Sequence, residues 1–91
     1  MATLQAPDAM IFKMMVGEIW EVDPYMSPIM LLDMMIDGEL ADYCDNYYFY
    51  ADDDKISDDE AFLLEWIKSK KGDEGARKLL TPVALEIGGR R

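Results

Sequence analysis

The chain has 91 residues, 51% of them apolar, and carries 19 acids against 9 Lys and Arg for a net charge of −10, with one cysteine and no histidine. A second core would leave each half near the ~40-residue limit at which disulfides or metals become necessary, so a single domain is expected. The acidity disfavours direct contact with nucleic acid or an anionic membrane, and the missing histidine removes the commonest general base and metal ligand.

The charge is unevenly placed. Sixteen acids lie in the first 67 residues, opposed only by Lys13 and Lys55, whereas residues 68–91 hold seven bases and three acids. A surface of one sign selects partners of the other. Cys44 has no second cysteine to pair with, and Met1–Pro7 lacks the basic start and apolar stretch of a secretory signal, so a cytoplasmic location is expected. The apolar run Ile29–Leu32 ends at Asp33, far short of the ~20 residues that cross a bilayer.

In chain order, Met1–Pro7 reads as a loose lead-in and Asp8 as the N-cap of a helix over Ala9–Val22, with Ile11, Met15, Ile19 and Val22 stepping by four, four and three. The alternation of Phe12, Met14 and Val16 also fits a strand. Asp23-Pro24 marks a turn. Ser27-Pro28 supplies an N-cap and a proline at the first helical position, where its missing N–H costs nothing. Ile29, Leu32, Ile36, Leu40, Tyr43 and Tyr47 form an apolar stripe running through Gly38, which either weakens one helix or separates a second over Glu39–Asn46.

Tyr47–Tyr50 reads as a short extended segment, and Asp52, Asp53 and Asp54 as a hydrated acidic loop. Ser57-Asp58-Asp59-Glu60 matches a capping box, in which serine hydroxyl and glutamate carboxylate each satisfy an orphan backbone donor. That helix should run to about Lys71 and end at Gly72, with Lys68, Lys70 and Lys71 answering the negative end of its dipole. Asp73–Leu80 reads as a short helix halted at Thr81-Pro82, Val83–Ile87 as a terminal strand, and Gly88–Arg91 as a flexible tail. The expected class is mainly α, a bundle of three to five helices with at most a minor strand pair. The alternative is α+β, pairing Met10–Val16, Tyr47–Ala51 and Val83–Ile87.

Little in the chain suits chemistry. Asp53–Glu60 resembles the second half of an EF-hand calcium loop, but aligning Glu60 with the last ligand puts Phe49 and Ala51 where the first carboxylates belong and Asp54 where the sharp turn needs glycine. An acidic helix cap explains the same residues. One cysteine without histidine cannot make a usual zinc site, and magnesium at Asp52–Asp54 would need substrate phosphates to complete it. Asp33 with Asp37, or Asp42 with Asp45, would work as acid and base only if burial split their pKa values, and Cys44 has no histidine to activate it. The glycines do not form a phosphate loop. No enzyme, cofactor or metal site is expected.

Binding is the better reading. Asp33 and Asp37 lie one helical turn apart, ~6 Å along the axis. With Asp42, Asp45, Asp52, Asp53, Asp54, Asp58 and Asp59 they offer carboxylates in place of phosphates, interleaved with Tyr43, Tyr47, Tyr48 and Tyr50, a residue type common in interfaces. In size, charge and aromatic content the chain resembles the small acidic inhibitors of bacterial viruses, among them DNA mimics and anti-CRISPR proteins. That resemblance implies a viral protein in a host cytoplasm that blocks a basic, nucleic-acid-binding partner. The expected function is a non-enzymatic inhibitor or adaptor using Asp33, Asp37, Asp42, Asp45, Tyr47, Tyr48, Tyr50, Asp52–Asp54, Asp58 and Asp59. The alternative is a homo-oligomeric assembly protein, a homodimer through the methionine-rich segments Met10–Met15 and Met26–Met35, since thioethers suit adaptable surfaces as well as cores.

Overall fold

In the computed structural model the described residues are 2–49 and 57–89, with side chains from Pro7 onward in the first helix. They form α1 (Ala2–Val22), α2 (Pro28–Asp37), α3 (Glu39–Tyr43), a π-helical turn (Cys44–Tyr48), α4 (Asp58–Ser69) and α5 (Glu74–Gly89), with no strand among them. The mainly α expectation holds. The α+β alternative does not: Met10–Val16 lies inside α1, Tyr47 and Tyr48 close the π turn, and Val83–Ile87 lies inside α5. None of the described helices is long and apolar enough to cross a membrane.

Local chemistry sets several boundaries where the sequence places them. Ser57 Oγ accepts from the Glu60 N–H at 3.1 Å, and Glu60 Oε1 accepts from the Ser57 N–H at 2.9 Å, closing the capping box of α4. Ser27 Oγ accepts from the Met30 N–H, with Pro28 first in α2. Pro24 and Tyr25 form the turn after α1, where the Trp20 indole donates to Met26 O at 2.7 Å and holds the return toward α2. Gly38 is a true break: at φ 94° it ends α2 in the left-handed region and opens α3. A Cβ there would stand 2.8 Å from Lys71 Cε, so the turn also needs glycine for close approach. Beside it, the Gly72 N–H donates to Ile36 O at 2.8 Å, filling a carbonyl that α2 leaves open at its end.

Two expectations fail for tertiary reasons. α1 begins at Ala2 rather than after Asp8, so most of the lead-in is helical. Asp8 is not a cap but a bridge to α4, where Oδ1 accepts from Trp66 Nε1 at 3.1 Å and Oδ2 faces Lys70 Nζ at 3.4 Å. α5 does not stop at Thr81-Pro82 but runs to Gly89, through the start of the expected tail; Arg90 and Arg91 lie outside the described residues. Proline inside a helix costs ~3 kcal/mol. Against that, an unbroken helix keeps Ala76, Leu80 and Ala84 at steps of four on one buried face, with Ile87 packed beside them. Thr81 Oγ1 donates to Arg77 O at 2.6 Å, using a carbonyl of the turn before the proline.

The core takes one stripe from each helix: Phe12, Met15, Val16 and Ile19; Leu31, Leu32, Met35 and Ile36; Leu40; Leu63, Leu64, Trp66 and Ile67; and the α5 face. Burying each large apolar side chain stabilises by roughly 1.5–3 kcal/mol. The methionines divide: Met15 and Met35 are fully buried, Met26 and Met34 pack partly against the core, and Met10, Met14 and Met30 are exposed. Met35 is therefore part of the core, and Met30, Met34 and Met35 do not share one open surface.

Candidate functional site

Between Leu40 and Phe49 the helix changes gauge. Leu40, Cys44 and Phe49 are all buried. At 3.6 residues per turn, positions five apart point about 140° away from each other, so an α-helix cannot send both Cys44 and Phe49 into one core. The Phe49 N–H donates instead to Cys44 O at 2.9 Å, an i→i+5 bond that widens the turn and aligns them. On the outer side the same widening places both the i+4 and i+5 neighbours next to Tyr43. Its ring centroid is 5.7 Å from that of Tyr47 and 6.4 Å from that of Tyr48, the latter pair within 25° of parallel.

Tyr43 and Tyr47 thus leave the apolar stripe the sequence assigns them, with 42% and 61% of their surface exposed. Tyr48 is half-buried against the core. Burial, then the nearby Asp23 carboxylate, pushes its hydroxyl pKa up, so it stays protonated at neutral pH. Ile29, first of that stripe, is also exposed, at the rim of a groove of about 510 Å³ between α2 and α5.

The acids separate into two sets. Asp33 is exposed but engaged: Arg77 donates to it at 2.8 Å and to Glu74 at 2.9 Å, and these bonds, Asp33 first, hold the guanidinium pKa above its usual value. Asp37 sits exposed at the end of α2, and Asp45 exposed on the π turn. Asp42, on α3, shares a groove of about 260 Å³ with Gly38, Ala41, Ile67, Lys68 and Lys71. Asp58 and Asp59 are exposed in the first turn of α4. Tyr50, Asp52, Asp53 and Asp54 lie outside the described residues, as does the first half of the EF-hand-like segment. Its remaining part, Ser57–Glu60, is occupied with capping. Among the described residues no group of three His, Cys, Asp or Glu side chains is placed to hold a metal.

No protein-family model, curated protein or solved structure matches this chain.

The fold adds acids that sequence reasoning passed over. Burial first, then Glu21, Glu60 and Asp59, raises the pKa of Glu18. Carboxylates of α1 and of the α4 N-terminus are therefore neighbours, while Asp8 meets Trp66 and Lys70 at the other end of the same seam. α1 and α4 run antiparallel. Glu18 and Glu21 lie one turn apart in the sequence, which hints at a shared side. Their meeting with Asp59 and Glu60 follows only from packing.

Cys44 is fully buried, and burial, then Asp45, pushes its thiol pKa up to about 12. A thiol held protonated in this way is a poor nucleophile at neutral pH.

Proposed function

We propose that this chain is a non-enzymatic binding protein, an inhibitor or adaptor that sets exposed carboxylates and tyrosines against a basic, nucleic-acid-binding partner. In that role it stands in part where phosphates would otherwise lie, as a DNA mimic of the anti-CRISPR or anti-restriction kind does. One observation carries the reading. The ion pairs among the described residues use Asp8, Asp33, Glu65 and Glu74, and none uses Glu18, Glu21, Asp37, Asp42, Asp45, Asp58 or Asp59. Carboxylates without internal cations keep their charge for an outside one, and complementary charge sets encounter rate and partner choice.

The test uses a basic partner captured from the host and purified. Its affinity should fall by about ten-fold or more between 50 and 200 mM salt, and duplex DNA should compete for it. The pair Asp42→Lys and Asp45→Lys should weaken binding by roughly ten-fold at low salt, with helix content unchanged by circular dichroism. Affinity indifferent to both salt and charge reversal would overturn the reading.

A further inference from the structure

Resting on that reading, we infer that Tyr43, Tyr47 and Tyr48 form a platform that reads arginine, so that the partner presents an arginine-rich segment rather than a merely cationic one. Single exposed aromatics are ordinary on a surface; three in ring contact, two of them open to water, are not. The cluster is a product of the π turn, since an α-helix would carry Tyr48 about 140° away from Tyr43.

Ring faces carry partial negative charge and attract a cation laid over them. The charges around the platform point the same way. Glu39 is exposed one turn before Tyr43, and Asp23 lies near enough to act on the Tyr48 hydroxyl. No ion pair among the described residues engages these two carboxylates. A planar, weakly hydrated guanidinium satisfies both features together, stacking on a ring while its N–H fork reaches a carboxylate. A lysine ammonium is a compact, strongly hydrated point charge and gives up little water to a ring face.

Two capped peptides of equal length and charge separate the ideas, one alternating arginine with glycine and the other lysine with glycine, titrated at about 50 mM salt. The arginine peptide should bind about three- to five-fold more tightly and shift the aromatic proton resonances of Tyr43 and Tyr47. Tyr47→Leu keeps apolar area but removes the ring, and should abolish most of that preference, whereas Tyr47→Phe should retain it. Tyr47 is exposed, so both variants should fold, which their circular dichroism checks. Equal, salt-sensitive binding of both peptides, or a preference that survives Tyr47→Leu together with Tyr43→Leu, would overturn the arginine platform and leave the basic-partner reading standing. If neither peptide binds at low salt, both readings fail.

Discussion

Leu80→Ala is expected to lower the free energy of unfolding by about 2–5 kcal/mol. Leu80 has no exposed surface and sits mid-way along the buried face of α5, between Ala76 and Ala84. Those alanines let α5 lie close to α2 but cannot expand into a void, so the removed carbons leave a cavity as well as lost burial. A domain of this length holds only about 5–14 kcal/mol in total, which makes the loss a large share. Leu85→Ala is the matched control. In a terminal strand Leu85 would share a face with Val83 and Ile87, but in the continuous helix it is 61% exposed and its truncation should fall within about 0.5 kcal/mol. Urea midpoints at equal slope measure both. Equal losses at the two leucines would mean the helix does not pass Pro82 in this register.

The second large effect is set by pH. Cys44 has a folded pKa of about 12, above the 9.0 of an unburied thiol, so folding favours its protonated form. Its contribution is fully present below pH 9 and is lost as the unfolded chain ionises between there and about pH 12. The stability lost should reach about 2 kcal/mol by pH 10.5, at 1.36 kcal/mol per pH unit. Lysines and tyrosines titrate in the same range, so the readout is the difference in pH slope between the native chain and Cys44→Ala. The variant starts lower because of the space it leaves, but should lose the thiol's part of the slope. Parallel slopes would show that Cys44 reaches water. The native thiol should also resist alkylation at pH 8 until denaturant is added.

What could be read from the sequence was what neighbouring residues decide among themselves. The Ser57–Glu60 box, Ser27-Pro28 and the glycine break at 38 are bargains between a side chain and a backbone donor a few residues away, or a steric allowance at one residue. The same logic misled where distant packing outweighed it. Asp8 has the chemistry of a cap, yet Trp66 and Lys70 hold it within α1. Thr81-Pro82 has the chemistry of a stop, yet the face holding Leu80 and Ala84 carries the helix through. The tyrosine cluster follows from burying Cys44 and Phe49 together, and regular helical periodicity cannot anticipate a change of period. Of the acids named from sequence, Asp37, Asp42, Asp45, Asp58 and Asp59 stand exposed without an ion pair among the described residues, while Asp33 is held by Arg77.

Beyond its burial, Glu18 of α1 feels the like charges of Glu21, Glu60 and Asp59, so carboxylates oppose one another where α1 meets the start of α4. Salt should therefore act with opposite sign on the two states of the protein. Added ions screen the repulsion and raise the melting temperature of the free chain, yet they weaken the proposed complex. A cationic partner would supply what the ions supply, so the fold should be at its most stable when occupied.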